Sequence, residues 1–486
     1  MYVRDSSPRA GSRVCSQSMT KGCLPMDVVS ALRSQRMNPY RWSVVLLCVV
    51  CGVVDGLDLL LVPYALPYLP DGFIGGGEKG LLISVGFVGY AIGSVVVAPM
   101  ADRIGRKPVI VLGLVGAGAC MLLGALSPNA EFLMVTRLLS GIAIGAVLPL
   151  LHVLGDECSS QNRRGLAVGL ITLGYPVGTT LGGFASLVVI RQFDSSWQSL
   201  FIFGALFSFV VAAIAFICLP ESPVFLAERP DDRRLDSLVR RMGLVGVDTS
   251  IPPKVEAHDD TDDEESAVGV LAPQYRARSL LIWFGYTFGI AGSFFISSWT
   301  PQLISDATSS QETGALMATV ISFGAIIGAF LMALATMKII PVKLCWISIG
   351  ISVIGQIVFA MNLQNGVAYV AAVILGMGMS AGLAAYMTSA PRLYPAAIRA
   401  RALGLMGGIS RIGAIAAPLL VGVLLAVVSP KAMYLTASMV VLLSGVIAFV
   451  LWRHSKSMFD DSEENDVAVP LTASASDAVV EQAQRA

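Results

Sequence analysis

The hydrophobic residues of the chain fall into twelve long blocks, and polar stretches separate most of them. A helix of about 18 or more predominantly apolar residues can cross a hydrocarbon core roughly 30 Å thick. The pattern therefore predicts an all-α polytopic membrane protein with twelve transmembrane helices. The predicted spans cover residues 42–68, 80–101, 108–127, 130–154, 164–190, 197–219, 280–305, 313–337, 341–361, 365–390, 402–428 and 431–452.

One longer polar segment separates the first six blocks from the last six. It holds an acidic cluster at residues 259–265, and such highly charged stretches cannot bury enough apolar surface to form a core. The sequence predicts five regions: an N-terminal tail (1–41), an N-terminal six-helix bundle (42–220), a linker (221–278), a C-terminal six-helix bundle (279–453) and a C-terminal tail (454–486).

Composition narrows the class of protein. Only 14% of the 486 residues are charged, whereas soluble proteins carry about 25%, which argues against a soluble enzyme. The formal net charge is zero, so nothing attracts the chain to nucleic acid in general. Residues 1–41 lack the apolar core of a signal peptide, so we expect no cleaved leader. Met1 and Met26 both remain open as the first residue.

Lysine and arginine residues are distributed unevenly between the two predicted sides of the membrane. If the N-terminus is inside, the outer loops receive only Lys79, Arg191 and Lys431. Because cytoplasmic loops carry an excess of these residues, we expect both termini to be cytoplasmic. Besides the tails and the linker, the inner side receives Arg103, Arg106, Lys107, Arg163, Arg164, Lys338, Arg392, Arg399 and Arg401.

The two halves share residues at one constant offset along the chain. The shift that places Gly141 on Gly376 also places Arg164 on Arg399. The same shift aligns helices four and five with helices ten and eleven. A parallel repeat of this kind is typical of transporters in which two six-helix bundles rock about a central site.

The segment Ala98–Lys107, which reads APMADRIGRK, joins the second and third predicted helices. Gly105 permits a tight turn there. The segment resembles the loop motif G-x-L-A-D-R-x-G-R-K of the major facilitator superfamily, with Ala98 and Met100 as mild departures. The resemblance implies the major facilitator fold of two pseudo-symmetric six-helix bundles. It also implies a gating latch that includes Asp102, Arg103 and Arg106.

Four ionisable residues stand out inside predicted spans, where a charge is costly and usually marks a transport pathway. Asp55 and Asp58 are spaced i, i+3 and so share a face of helix one. The rise of a helix along its axis places Arg137 at a depth where it can meet one of them. Two carboxylates in a low dielectric disfavour double ionisation, so we predict that these three residues couple transport to protons. The alternative is a structural ion pair between Asp55 and Arg137.

The fourth ionisable residue is Arg411, in helix eleven. Predicted helices seven to twelve contain no acidic residue, so its partner must lie across the bundle or be the ligand. A guanidinium that faces a cavity suits a carboxylate substrate, and a purely structural role is the alternative. His152 is either an interfacial packing residue or a proton relay. Cys48 and Cys51 have redox spacing but lie on an apolar helix, so we expect them to pack in the core.

The segment Asp55–Asp58, with the apolar run into Pro63–Pro67, is similar to helix one of the aromatic acid:proton symporters. The segments Tyr394–Arg399 and Gly408–Gly413 resemble the helix ten–eleven junction of that family. The resemblance implies transport roles for Asp55, Asp58, Arg137, Arg399 and Arg411. Glu157 and Arg164 mark the end of helix four as in that family. Together with the loop motif, the gating candidates are therefore Asp102, Arg103, Arg106, Glu157, Arg164 and Arg399.

This resemblance implies proton-coupled uptake of a small aromatic or related organic acid by alternating access. We expect a monomer in the cell inner membrane whose partners are the organic anion, H⁺ and lipids, with no nucleic acid, cofactor or metal. Aromatic side chains in a central cavity can hold such a ligand. The aromatic candidates are Tyr175, Tyr286, Trp299 and Tyr386, beside Phe294 and Phe295.

Two other functional classes are alternatives to uptake. The segment Gly174–Gly183 partly resembles the helix-five motif of proton-coupled drug or metabolite exporters, although Thr179 replaces its proline. A membrane-embedded enzyme or sensor would need a catalytic set, a metal-spaced cluster or a signalling domain, and the sequence displays none. We therefore expect a transporter and not an enzyme, with an exporter as the alternative.

Overall fold

The computed structural model describes residues 26–70, 72–192, 196–229, 234–249, 251, 269–336, 339–425 and 427–467. Twelve helices in this part of the chain are long and apolar enough to cross a membrane. They are α1 (Pro39–Tyr68), α2 (Gly76–Ile104), α3 (Arg106–Ala125), α4 (Ala130–Glu157), α5 (Arg164–Gln192), α6 (Trp197–Ala227), α7 (Pro273–Thr308), α8 (Gln311–Ala335), α9 (Pro341–Met361), α10 (Val367–Leu393), α11 (Arg401–Leu424) and α12 (Pro430–Ser455). The predicted number of membrane helices is confirmed.

The helix ends differ from the predicted ends by a few residues, because the apolar pattern marks only the part of a helix inside the hydrocarbon core and not its polar end turns. Polar turns extend α7 back to Pro273, ahead of the predicted start at residue 280. A proline is the first residue of four of the helices, where its missing N–H is not needed. These prolines are Pro39, Pro273, Pro341 and Pro430. The acidic cluster at 259–265 and Lys338 lie outside the described residues.

The two halves of the fold, α1–α6 and α7–α12, repeat the same helix packing. In the first half α2 and α4 approach so closely that a Cβ on Gly89 would meet the backbone of Leu138. In the second half Gly324 of α8 meets Val373 of α10 in the same way. Both partners of this contact are displaced by the offset that relates Gly141 to Gly376. The contact of Gly93 with Ile142 recurs at the same offset as that of Gly328 with Met377, so the internal repeat is confirmed in the packing.

The halves meet mainly through α2 with α11, α5 with α8 and α1 with α7. We call the membrane side that carries the described parts of 221–278 the linker side, and the other the far side. Close contacts between the halves lie toward the far side. Gly80 packs against Gly422, where an added Cβ would lie 2.7 Å from the opposing Cα. Gln311 Nε2 donates to Pro67 O over 2.6 Å, and Ser84 Oγ donates to Ile415 O over 3.0 Å.

On the linker side the chain before α1 is fixed to the first half. Arg41 is fully buried, and its guanidinium donates to Cys158 O and Leu32 O, each over 2.7 Å. Leu32 belongs to the short helix Val28–Ser34, which precedes α1. Asn38 Nδ2 donates to Arg241 O over 2.9 Å and so ties the end of the helix Arg234–Arg241 to the same place. This part of the linker is therefore packed against the first half.

Candidate functional site

Two carboxylates on α1 point toward different neighbours. Three residues turn an α-helix by about 300°, so Asp55 and Asp58 diverge by roughly 60°. Asp58 faces α4 of its own half, whereas Asp55 faces α2 and, across the boundary between the halves, α11. Gly56 lies between them, and a Cβ there would lie 2.9 Å from the backbone carbon of Tyr175. The glycine therefore lets α5 approach the carboxylates.

Asp58 forms a buried ion pair with Arg137. Arg137 Nη1 donates to Asp58 Oδ1 over 3.1 Å, and Ser140 Oγ donates to the same oxygen over 2.7 Å. Both charged side chains are 3% exposed, and the guanidinium carbon lies 4.9 Å from the ring centre of Phe201. The prediction that Arg137 meets one of the α1 carboxylates is confirmed. The partner is Asp58, so the alternative that paired Asp55 with Arg137 is wrong.

Asp55 has a different environment. The residue is fully buried, and among the described residues neither of its carboxylate oxygens has a hydrogen-bond partner. Its electrostatic neighbours are Asp58, Arg411 and Tyr90. Arg411 reaches over from α11, with its guanidinium carbon 4.6 Å from the ring centre of Tyr90 on α2. Arg411 therefore contacts Tyr90 of the other half and interacts electrostatically with Asp55 beside it.

Two of the four predicted aromatic residues lie near Asp55 and Arg411. Tyr175 of α5 interacts electrostatically with Asp55 and Arg411, and Tyr286 of α7 interacts with Arg411. Tyr386 is one ring further away, with its centroid 6.0 Å from that of Tyr286. Its hydroxyl donates to Ser444 O over 2.8 Å within the second half. Trp299 is fully buried, and within the described chain it makes no contact with Arg411.

Sequence reasoning missed Tyr90 and Ser140, which complete the site. Tyr90 is 3% exposed and lies between Asp55 and Arg411. Ser140 is fully buried and adds the second donor to Asp58. A signal existed for Ser140, because it follows Arg137 by three residues and so lies on the same face of α4. Nothing in the sequence singled out Tyr90 among the other buried aromatic residues.

The turn between α2 and α3 on the linker side is held by Glu221, near the end of α6. Gly105 has a φ of 104°, a conformation that a residue with a Cβ rarely adopts. Beyond the turn, the backbone N–H groups of Arg106 and Lys107 donate to Glu221 Oε1 over 2.7 and 3.2 Å. A carboxylate there suits the positive end of the α3 dipole. Sequence reasoning assigned no role to Glu221.

The predicted gating residues of the first half join this turn to the end of α4. Arg106 Nη2 lies 3.2 Å from Asp102 Oδ1 and 3.6 Å from Glu157 Oε1. Ser222 Oγ donates to Glu157. Arg103 contributes its carbonyl oxygen, which accepts from Arg229 Nη2 over 2.8 Å. These contacts connect parts of the first half to one another.

The remaining gating candidates are separate from that cluster. Arg164, the first residue of α5, pairs with Asp156 of α4. Arg399 Nε donates to Tyr394 O over 3.4 Å within the second half. These contacts stay within the two halves, so the part of both residues in gating remains a prediction. His152 Nε2 lies 3.1 Å from Thr172 Oγ1, and Cys48 and Cys51 are fully buried in the apolar core.

The position of Arg411 allows a ligand carboxylate to take the place of Asp55 beside its guanidinium. Arg411 belongs to the second half, and the carboxylate it faces belongs to the first half. A carboxylate ligand that entered between the halves would compete with Asp55 for the same guanidinium. Within the described residues there is no group of three or more His, Cys, Asp or Glu side chains that could hold a metal ion.

A family model described as the Major Facilitator Superfamily matches residues 48–245 and 282–478, which together span most of the chain. The chain belongs to this superfamily. This match confirms the superfamily and the major facilitator fold that the Ala98–Lys107 segment implied.

Curated relatives of this superfamily member cover most of its length. The 4-hydroxybenzoate transporter of Pseudomonas putida is 30% identical over 403 residues, covering 80% of this chain and 87% of the relative. The gallate transporter of Pseudomonas putida is 28% identical over 414 residues, covering 82% and 89%. Both are named transporters, so the expectation that the chain is a transporter and not an enzyme is confirmed.

Solved structures of the superfamily share the fold at low identity. A D-xylose-proton symporter matches with a TM-score of 0.65 and 15% identity, covering 85% of this chain and 97% of that one. A partially occluded inward-open form of the xylose transporter of E. coli also gives a TM-score of 0.65, at 14% identity, covering 85% and 98%. The chain is a multi-pass membrane protein of the same architecture.

Proposed function

We propose that the protein is a secondary active transporter that takes up a small aromatic acid together with H⁺ by alternating access. The observation that carries this proposal is the buried Asp55 carboxylate, which lacks a hydrogen-bond partner among the described residues and faces Arg411 of the other half. The names of the relatives, which include transporters for 4-hydroxybenzoate and gallate, support an aromatic acid as the substrate.

The coupling follows from competition for one guanidinium. When Asp55 is ionised, it occupies Arg411 and excludes a second carboxylate from that place. When Asp55 takes up a proton, Arg411 keeps its charge and becomes free to bind the carboxylate of the substrate. Proton and acid therefore load together.

The same competition limits leak. The empty carrier with ionised Asp55 and the loaded carrier with protonated Asp55 are both neutral at this site. A carrier with only the proton or only the acid has an uncompensated charge among apolar side chains, which is costly. We infer that only the two neutral forms exchange between the inward and outward conformations.

Asp58 and Arg137 have a supporting part in this mechanism. Their ion pair and the bond from Ser140 hold α1 against α4. The pair thereby fixes the face of α1 that carries Asp55, three residues away. Tyr175 and Tyr286 supply ring faces and hydroxyls beside Arg411 for the aromatic ring of the substrate.

We infer that the linker side is cytoplasmic, with both termini on that side and the protein in the inner membrane as a monomer surrounded by lipid. The excess of Lys and Arg on that side supports this orientation. The contacts between Gly80 and Gly422 and between Gln311 and Pro67 then close the outer entrance. The bundles 42–220 and 279–453 would rock about the central site, with 221–278 as their connection.

The gating residues have two places in this cycle. Asp102, Arg103, Arg106 and Glu157 join the α2–α3 turn to the end of α4, so these elements can move as one body. Arg164 is the first residue of α5, and Arg399 lies two residues before α11; the two positions correspond in the internal repeat. We propose that these two ends approach each other when the inner entrance closes.

The test is uptake of labelled hydroxybenzoates into cells that express the protein, with and without a protonophore. Wild-type protein is expected to accumulate at least one of the acids, and the protonophore should abolish accumulation. Asp55→Asn should reach the membrane in normal amounts but give no accumulation. The control is Glu131→Gln, which removes an exposed carboxylate at the far-side end of α4 and should accumulate normally.

Two results would contradict the proposal. Concentrative uptake by Asp55→Asn at the wild-type level would exclude Asp55 as the proton carrier. Failure to accumulate any acid, combined with higher retention of hydrophobic compounds after addition of protonophore, would indicate export and not uptake.

A further inference from the structure

Arg411 contacts an aromatic ring that belongs to the other half of the fold. Its guanidinium carbon lies over the ring of Tyr90 of α2, 4.6 Å from the ring centre. This separation lies within the range of a cation–π contact, which extends to about 6 Å. Tyr90 is buried, so water competes little for the contact. The exchange of carboxylates at Arg411 makes no use of this ring so far.

The backbone of Tyr90 is fixed within the first half. α4 packs directly against it through two glycines, Gly141 and Gly145. A Cβ on Gly141 would lie 2.8 Å from Tyr90 N, and a Cβ on Gly145 would lie 2.8 Å from Tyr90 Cα. Small residues allow such close contact between membrane helices. The ring is therefore carried by a firmly packed part of α2.

The backbone near Arg411 is likewise fixed within the second half, whereas the end of its side chain is not. Gly413 packs against α7, where an added Cβ would lie 2.7 Å from Thr287 O and 3.3 Å from Ala291 Cβ. Arg411 itself is only partly buried, and the oxygens of Asp55 accept no hydrogen bond from it in this conformation. The contact with the ring of Tyr90 therefore holds the guanidinium at the boundary between the halves.

The other arginine of the site shows that one guanidinium can contact a ring and a carboxylate together. The guanidinium carbon of Arg137 lies 4.9 Å from the ring centre of Phe201, and its Nη1 donates to Asp58 Oδ1 over 3.1 Å. A guanidinium is planar, so aromatic rings stack on its face and carboxylates bind the N–H groups at its edge. A ring contact thus leaves the edge open to a carboxylate.

We propose that Tyr90 is a positioning residue for substrate binding, whose ring holds the face of the Arg411 guanidinium so that its edge is ready for the substrate carboxylate. This inference rests on the proposed function. An arginine that is held in place before binding does not have to be ordered when the ligand arrives, which saves part of the cost of association. Because the ring belongs to the first half, Arg411 stays at the boundary while the substrate takes the place of Asp55 beside it.

The test is equilibrium binding of labelled 4-hydroxybenzoate to the purified full-length protein at a fixed pH. Tyr90→Leu removes the ring, and the affinity should fall about fivefold, the effect of having to order one long side chain on binding. Tyr90→Phe keeps the ring without the hydroxyl and should bind the acid as the wild type does. If Tyr90→Leu does not yield folded protein, Tyr90→Met replaces it, because a flexible methionine fills irregular space without a ring.

A double-variant cycle separates positioning from packing. Lysine carries its charge at one point and has no planar fork to orient. In Arg411→Lys protein, the further change Tyr90→Leu should therefore weaken binding by less than about twofold, which is the usual error of additivity. A packing role for Tyr90 would give the same loss in both backgrounds.

Tyr434 of α12 provides a matched control. It is fully buried in the second half, where its ring packs edge-on against Phe295 with the centroids 5.3 Å apart. Tyr434→Leu makes the same chemical change away from Arg411. Its affinity for the acid should stay within about twofold of the wild-type value.

Four outcomes would overturn the inference. These are a wild-type affinity in Tyr90→Leu, a loss in Tyr90→Phe as large as that in Tyr90→Leu, an equal loss in both Arg411 backgrounds, and the same loss in Tyr434→Leu. The second would assign the effect to the hydroxyl, and the last two would indicate general loosening of the packing. A wild-type protein that binds no hydroxybenzoate would refute the proposed function together with the inference. Wild-type affinity in Tyr90→Leu, with normal proton-coupled accumulation by the wild type, would refute the inference alone.

Discussion

The ion pair between Asp58 and Arg137 gives the sharpest prediction for stability. Both side chains are 3% exposed, and the Asp58 oxygen accepts from Arg137 and Ser140. Asp58→Asn keeps the size of the side chain but leaves the guanidinium of Arg137 buried without a counter-charge. Breaking a buried pair in this way costs about 3–5 kcal/mol. We expect a loss of that size in the free energy of unfolding.

The assay is unfolding of the purified protein by titration with a denaturing detergent, followed by circular dichroism. The double variant Asp58→Asn with Arg137→Gln removes both charges and should recover most of the loss, because a neutral pair needs no counter-charge. The control Asp102→Asn removes a carboxylate that is 73% exposed and should not change stability measurably. If Asp58→Asn lies within about 1 kcal/mol of the wild type, a range usual for exposed pairs, the reasoning is refuted.

Three further predictions concern binding, conformation and the linker-side turn. Arg411→Lys should weaken the apparent affinity for carboxylate substrates about tenfold, because a lysine cannot make the paired hydrogen bonds; uptake kinetics with an unchanged apparent affinity would contradict this. Gly422→Val should separate the halves on the far side, because its Cβ would lie 2.7 Å from the Cα of Gly80. The separation should increase alkylation of Ser84→Cys from that side in a cysteine-free background. Gly350→Val, whose Cβ would meet open space, should leave this alkylation unchanged. Glu221→Gln should lower the free energy of unfolding by about 1 kcal/mol through a weaker cap on α3, and a wild-type value would contradict the capping role.

The sequence was sufficient to predict the membrane helices and the internal repeat. Each membrane helix must bury its own backbone hydrogen bonds, so a long apolar block has few alternatives to a helix. The constant offset between the halves was visible in glycine positions such as Gly141 and Gly376, because close helix packing permits no side chain there. Helix ends were harder to place, since polar turns beyond the hydrocarbon core, as at Pro273, carry no hydrophobic signal.

The charged residues of the site were found because a charge inside a membrane helix is rare. Their pairing could not be predicted, because Asp55 and Asp58 lie close together around one helix and the rotation of α1 decides which meets Arg137. Tyr90 was missed because its role depends on the approach of α11 from the other half. Glu221 was missed because its carboxylate caps a helix that begins 115 residues earlier in the chain.

The central claim is that the substrate carboxylate replaces Asp55 at Arg411 only when Asp55 takes up a proton. The most direct measurement is proton uptake when 4-hydroxybenzoate is added to the purified protein in weakly buffered solution with a pH indicator. At a pH at which Asp55 of the free protein is ionised, the account predicts about one proton taken up per acid bound by the wild type and none by Asp55→Asn. It also predicts an apparent affinity that weakens as the pH rises. Binding of the acid without proton uptake by the wild type, or equal proton uptake by Asp55→Asn, would contradict it.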